Sequence, residues 1–315
     1  MSVSFRDIQQ AAERIKPYIH HTPVLTNESL NRQVGVQVFL KCENLQKVGA
    51  FKFRGACNAV YSLSDEEAAH GVCTHSSGNH AQALALAAKM RGIPAYIVMP
   101  SNAPLVKKNA VAGYGGQITF CEPTLEARES TLDRVRLDTG ANVVHPYNDE
   151  RVIAGQGTAV LELLEDVPDL DVIIAPVGGG GLLSGTSIAA TETKKGIRVI
   201  AGEPEMADDA FRSVKAGKII PSTNPKSMAD GLLSSLGQIN FPIIQDRVEQ
   251  IVTVSETGIT EAMKFIWERA KIIIEPSAAV AVGVLWEKKI DLSGLKVGVI
   301  LSGGNVDLEK LPWQP

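Results

Sequence analysis

A series of short apolar runs alternating with helical patterns constrains the fold of this chain more than any other feature. VQVFLK at 36–41, GVCTH at 71–75, AYIVMP at 95–100, QITFC at 117–121, DVIIAPV at 171–177, IRVIAG at 197–202 and KVGVILS at 296–302 read as strands. Most are rich in Val and Ile and lack polar alternation, the pattern of strands covered on both faces. Helical patterns occupy 80–91, 126–138, 151–165, 208–216, 256–270 and 277–288, the first closed by Gly92. The alternation predicts an α/β architecture built on parallel sheets. At roughly 150 residues per domain, 315 residues fit about two domains or one large α/β domain. No repeat period or low-complexity linker marks a boundary between them.

Charge narrows the function classes. With 31 basic and 35 acidic side chains the net charge is -4, which offers no footprint for nucleic acid. The opening MSVSFRDIQQAAERIKPY reads as an amphipathic helix without the apolar core of a signal peptide. The apolar stretches at 171–177 and 272–282 are too short to cross a bilayer, so no membrane association and a cytoplasmic location are expected. Cys42, Cys57, Cys73 and Cys121 have no CxxC spacing, and reduced, partly buried thiols are expected rather than zinc ligands or disulfides.

Three segments carry chemistry. The strand DVIIAPV runs into Gly178, Gly179, Gly180 and Gly181, and a helix starts at Leu182. Successive glycines let backbone amides converge on an anion, and a helix N-terminus adds partial positive charge. The segment is not a P-loop, because Thr186 stands where Lys is required after the Gly180–Gly185 spacing. A dinucleotide fingerprint fails at Ser184, which takes the last glycine position after Gly179 and Gly181, although Glu203 ends the next strand where a ribose-binding acid would lie. The second segment, Gly49-Ala50-Phe51-Lys52-Phe53-Arg54-Gly55-Ala56, places Lys52 between two aromatic rings at a helix start. Desolvation there lowers the amine pKa and favours Schiff-base chemistry, and an aldehyde cofactor carrying a phosphate needs both an amine and a cradle. The third is Ser76-Ser77-Gly78-Asn79-His80, between a strand and a helix, where amides and hydroxyls suit a carboxylate and Asn79 can also cap the helix. No GxSxG elbow accompanies Ser77.

Together these segments resemble the fold-type II pyridoxal-phosphate enzymes (tryptophan synthase β-like), in the family of serine racemases and serine/threonine dehydratases. The resemblance covers about residues 5–310 and rests on KCENLQKVGAFKFRGACNAV, THSSGNHAQALALAAK, VIAGQGT, VGGGGLLSG, EPEMADDA and LSGGNVD, in that order. It implies pyridoxal 5'-phosphate bound through Lys52, with Gly178 to Gly181 on the phosphate. Phe51 and Tyr147 would lie beside the cofactor, Asn79 on its 3'-oxygen and Ser302 on the pyridine nitrogen. A neutral hydroxyl at Ser302 makes a gentler electron sink than a carboxylate, which suits elimination and α-proton chemistry.

Within the resemblance, Ser77 marks racemases and hydroxyaspartate dehydratases, where it faces the lysine across the cofactor; degradative threonine dehydratases usually carry alanine there. Ser76, Ser77, Asn79, His80, Arg128 and Ser234 are the implied substrate contacts. Glu203, the Ala207 carbonyl and Asp209 match divalent-cation ligands, and hard oxygen donors suit Mg²⁺, Ca²⁺ or Mn²⁺. Lys47, Gln82 and Tyr114 match an ATP site at a subunit interface, which implies a homodimer, although Val48 and Asn27-Glu28 depart from that pattern. A large cofactor domain of 1–71 and 149–315, a small mobile domain of 72–148 and no regulatory domain are expected. The implied activity is serine racemisation with loss of water from serine. 3-Hydroxyaspartate or threonine elimination is the alternative, and a dehydrogenase or a silent cofactor-binding protein lies outside the resemblance.

Overall fold

The computed structural model describes residues 3–103 and 105–314. Its strands are β1 (Val24–Thr26), β2 (Gln37–Lys41), β3 (Val72–His75), β4 (Ala95–Pro100), β5 (Gln117–Cys121), β6 (Asn142–Val143), β7 (Val172–Pro176), β8 (Arg198–Pro204), β9 (Gln250–Val254) and β10 (Lys296–Ile300). They form a six-stranded sheet in the order β1-β2-β10-β7-β8-β9 and a four-stranded sheet in the order β5-β4-β3-β6. All pairings are parallel except that of β1 with β2.

The absence of polar alternation has a direct structural cause. Alternate residues of the central strands enter different cores on opposite faces of the larger sheet. Val172, Ile174, Ile200, Val297 and Val299 pack with the helix Pro276–Trp286, whose residues from Ser277 to Leu285 are all buried. Ile173, Ala175, Val199, Ala201 and Ile300 pack with the helices Glu150–Asp166 and Gly181–Thr193. Neither face meets water, so neither needs polar residues. The smaller sheet is covered in the same way. Val72, Ile97 and Met99 face the helix Asn79–Arg91, and Cys73 and Val98 face Leu132 and Val135 of the helix Leu125–Thr139.

The core beneath the smaller sheet also contains Val48, Phe53, Ala56 and Val60. The helix Lys52–Tyr61 therefore packs between the two sheets, with Gly155 of the helix Glu150–Asp166 lying so close that a Cβ there would come within 2.6 Å of Gly55 Cα.

Four elements depart from the sequence reading in instructive ways. β1 is a short antiparallel edge strand, with only three residues to signal it. β6, with two residues, and β9, whose Gln and Thr dilute the apolar pattern, escape the run criterion. The helix expected over 256–270 ends at Phe265, passes into a π turn over Ile266–Ala270 and stops where Lys271 takes φ +60°. No described helix is long and apolar enough to cross a membrane.

Candidate active site

Adjacent parallel strands β7 and β10 end at the glycine loop and at Ser302, the carboxyl edge where open α/β sheets bind ligands. Gly178, Gly179 and Gly180 each face a neighbour that leaves no room for a side chain. A Cβ at Gly178 would lie 2.8 Å from Leu232 Cα, one at Gly179 2.4 Å from the Tyr147 ring, and one at Gly180 2.8 Å from Asn240 Cβ. Gly180 takes φ +94°, open to glycine at no steric cost, and the helix begins at Gly181. The Gly179 carbonyl accepts from Gly237 N at 3.0 Å and from Asn240 Nδ2 at 2.9 Å. Asn240 also donates to the Tyr147 carbonyl at 3.0 Å, fastening the loop to the ring packed against it. Burial pushes the Tyr147 phenol up, against the opposing effect of the neighbouring Ser234 hydroxyl.

Lys52 opens the helix Lys52–Tyr61. The Phe51 amide donates to the Ser302 carbonyl at 3.0 Å, and an isolated bridge joins Ala50 to Gly303, so the lysine is anchored to the end of β10. Its Nζ lies 5.2 Å from the Phe51 ring centroid and donates to the Pro146 carbonyl at 2.7 Å. Burial brings the amine down to about 8, although Glu275 pulls the other way. Such an amine is still mainly protonated near physiological pH, but its neutral fraction is far larger than that of an ordinary lysine, which makes it competent as a nucleophile or base.

The Ser76–Gly78 loop follows β3, which pairs with β6, so it leaves the sheet beside the 145–147 segment that receives Lys52. The His75 and His145 rings stand 6.1 Å apart, and His145 meets Tyr147 edge to face at 4.6 Å. Ser76 Oγ accepts from Gly78 N. The helix Asn79–Arg91 is capped by Gly78, not by Asn79, whose side chain instead reaches Glu275 and Asn305. The capping role expected for Asn79 is therefore corrected: that amide is committed to the site. The buried His80 ring turns away to the Val144 carbonyl at 3.0 Å, and burial brings it down to about 3, so it stays neutral. Arg128, on the helix Leu125–Thr139, has a buried Nε without a protein partner.

Glu203 is the penultimate residue of β8 and accepts from the amides of Ala210 and Phe211 at 2.7 Å each, at the start of the helix Asp209–Ala216. Burial pushes its carboxyl up to about 8. Asp209 is also buried, neither of its carboxylate oxygens has a well-formed hydrogen bond, and burial pushes it up to about 6 against the opposing effect of the nearby Ser222 hydroxyl and Leu236 backbone. Ala207 is buried in the turn Glu205–Ala207 between them. Lys47, 5.7 Å from the Phe53 ring, sits in the turn Lys47–Gly49 against the helix that carries the buried Gln82; Tyr114 packs on the same core. The four cysteines are free; Cys42, Cys57 and Cys73 are buried and Cys121 partly so.

Glu275, Asn305 and Asn240 were not singled out from sequence. Asn305 lies inside the LSGGNVD motif, but nothing local marks Glu275, 196 positions from Asn79, as its partner.

The residues present fit a phosphate-bearing aldehyde: a lowered-pKa amine, a cradle into which no side chain fits, and an anchored hydroxyl residue at the end of β10. Comparison with known proteins agrees. The profile of the pyridoxal-phosphate dependent enzymes matches residues 15–303. A beta-hydroxyaspartate dehydratase of Paracoccus denitrificans is 52 % identical over 310 residues, 98 % of each chain. A serine racemase of Dictyostelium discoideum is 50 % identical over 316 residues, 98 % of this chain and 97 % of that one. The crystal structure of the Dictyostelium serine racemase superposes with a TM-score of 0.93, covering 98 % of this chain and 100 % of the other. This chain belongs to the pyridoxal-phosphate-dependent enzymes, with their fold-type II architecture.

Proposed function

We propose that the chain is a serine racemase that also eliminates water from serine to give pyruvate and ammonia. The observation that carries this is the placement of two proton-moving groups. Lys52, with a lowered pKa, rests on the Pro146 carbonyl, and the loop bearing Ser77 leaves the sheet beside the same segment. Lys52 Nζ takes the α-proton of L-serine, and Ser77 Oγ delivers a proton to the opposite face to give D-serine. Loss of the β-hydroxyl as water, instead of reprotonation, leaves the three-carbon enamine, which after release takes up one water and breaks down to pyruvate and ammonia. The glycine loop, Phe51, Asn79, Tyr147 and Ser302 hold the cofactor, which when bound supplies the electron sink for the α-carbon. Ser302 Oγ would hold the ring nitrogen without protonating it fully. Ser76, the Asn79 and His80 amides and Ser234 bind the substrate, and closure of 72–148 on the remainder excludes water.

The poorly satisfied Asp209 carboxylate, with Glu203 and the Ala207 carbonyl, suits Mg²⁺, Ca²⁺ or Mn²⁺, since a cation would relieve two buried carboxyls. Lys47, Gln82 and Tyr114 would contribute to an ATP site in a homodimer. One observation favours a second reading. The unpartnered Arg128 Nε suits a further substrate carboxylate, as in 3-hydroxyaspartate, and a hydroxyaspartate dehydratase is among the similar proteins.

The test is a panel of L-serine, D-serine, L-threonine and the 3-hydroxyaspartate isomers, with and without Mg²⁺ and ATP, on wild type and Ser77→Ala. The variant is expected to lose D-serine formation by about a hundredfold or more while retaining elimination from L-serine. Racemisation that survives in Ser77→Ala overturns the two-group scheme, and turnover confined to 3-hydroxyaspartate selects the second reading.

A further inference from the structure

Asn79 has a polarity problem that the surrounding residues solve. Its side-chain amide presents a donor end and an acceptor end of nearly the same shape, and only hydrogen-bond partners decide which end faces where. The chain of constraint begins at the Val48 carbonyl, which can only accept. Asn305 Nδ2 donates to it at 2.7 Å. With its nitrogen so fixed, Asn305 offers its other N–H to Asn79 Oδ1 at 2.9 Å. That turns Asn79 Nδ2 toward Glu275, whose two carboxylate oxygens lie at 3.0 and 3.2 Å. The Asn305 backbone amide donates to Glu275 Oε2 at 3.1 Å, so these contacts to the carboxylate are all donors. Both ends of the network therefore demand the same orientation of Asn79, leaving one N–H of its Nδ2 for a ligand.

The backbone is shaped around this arrangement. Glu275 is only 5 % exposed, and a Cβ at Gly303 would lie 2.6 Å from its Oε1. The Glu275 amide donates to the Gly303 carbonyl at 3.0 Å. Val48 adopts φ +57°, rare for a β-branched residue, in the turn whose carbonyl starts the chain.

We propose that Glu275 and Asn305 are positioning residues that force Asn79 to present an N–H, not its carbonyl, to the cofactor's 3'-oxygen. This rests on the reading of Asn79 as the residue at that oxygen. A donor there favours the ionised oxygen, because hydrogen bonding to a charged form stabilises it. The network thus biases the bound cofactor toward its visible-absorbing form and away from the near-ultraviolet form with a protonated oxygen. Glu275→Gln replaces one accepting oxygen with an amide NH2, a donor set against donors on at least one side. Asn305→Asp sets an acceptor against the Val48 carbonyl and Asn79 Oδ1. Each variant removes the demand for one orientation.

The experiment records absorbance spectra of the holoenzymes, with thermal melting of the cofactor-free proteins as the folding control. Glu275→Gln and Asn305→Asp are expected to lower the visible to near-ultraviolet ratio roughly tenfold or more, and Glu275→Asp to recover part of it. If Glu275→Gln does not fold, Asn305→Asp alone carries the test. A wild-type ratio in the folded variants, alongside an altered ratio in Asn79→Ala, overturns the role of Glu275 and Asn305. A wild-type ratio in Asn79→Ala itself removes Asn79 from the cofactor oxygen and this inference with it.

Discussion

Lys52 shows how much one residue's chemistry depends on distant chain. Its flanking aromatic residues, Phe51 and Phe53, already point to a desolvated amine. The Pro146 carbonyl that receives its ammonium and the Glu275 carboxylate that partly restores its basicity lie 94 and 223 positions away. Burial wins over Glu275, and the folded pKa falls from 10.5 to about 8. In the cofactor-free protein the protonated amine is thus disfavoured by folding. The resulting penalty is present below about 8 and fades as pH rises toward 10.5, because the unfolded chain binds the additional proton across that window. Only the neutral amine bonds to an aldehyde, so uptake of pyridoxal 5'-phosphate should accelerate about tenfold per unit as pH rises below about 8 and then level off. Stopped-flow absorbance on the cofactor-free protein checks this. A plateau displaced to the ordinary lysine range shows that burial does not tune the amine.

The strand–loop–helix unit from β7 to Thr193 is the element on which the cofactor depends. Its existence, and the start of its helix to within a residue, were legible, since a Val/Ile run, four glycines and an apolar segment stand in order, but the end of the helix at Thr193 was not. The reason for each glycine was only half legible. Room for an anion can be argued from composition, but contact with Tyr147, Leu232 and Asn240 cannot, because those residues come from other parts of the chain. The same limit applies to β1, β6 and β9, which exist through pairing with neighbours rather than through a strong local pattern. Gly179→Ala tests the loop as packed. Its Cβ would fall 2.4 Å from the Tyr147 ring, and Tyr147 is itself held through its carbonyl by Asn240 and packed edge to face on His145. The ring cannot yield without moving the segment that receives Lys52. The substitution should cost about 1–3 kcal/mol and weaken cofactor binding roughly ten- to a hundredfold. Equilibrium titration with pyridoxal 5'-phosphate and a melting curve measure the two effects. Wild-type affinity in Gly179→Ala would mean that the Tyr147 packing is not what the glycine preserves.

At the scale of the whole molecule, a buried ionic knot ties the lysine-bearing helix to the larger sheet. Arg54, fully buried two residues after Lys52, donates from Nε and Nη2 to Glu43 at 2.7 and 2.8 Å. It donates from Nη1 and Nη2 to Glu162 at 2.8 and 2.7 Å, and from Nη1 to Thr158 at 3.2 Å. Lys41, also fully buried, donates to Glu162 and to the Thr22 carbonyl, and Thr22 donates to Glu43. The turn Glu43–Leu45, the helix Lys52–Tyr61 and the helix Glu150–Asp166 thus meet at one guanidinium, and β2 joins them through Lys41 and Glu162. Sequence could place Arg54 in the FKFRGA motif, but not its bonds to carboxylates 11 and 108 positions away. Four charges so placed are costly unless each is matched, and deleting one leaves the others under-compensated. Arg54→Met should therefore lower stability by about 3–5 kcal/mol, whereas a surface pair such as Arg198–Glu249 contributes about 1 kcal/mol or less. The knot also carries a pH signature. Burial works to raise the Glu162 carboxyl, but Arg54 and Lys41 outweigh it and hold the group below 4.5. Its stabilisation is complete above the unfolded value and is lost as pH falls through the lowered folded value, so Glu162→Gln should remove part of the acid sensitivity of unfolding. Urea denaturation of wild type, Arg54→Met and Glu162→Gln at neutral and acidic pH separates these effects. An Arg54→Met protein as stable as wild type at neutral pH would show that the knot is not what fixes the Lys52 helix between the sheets.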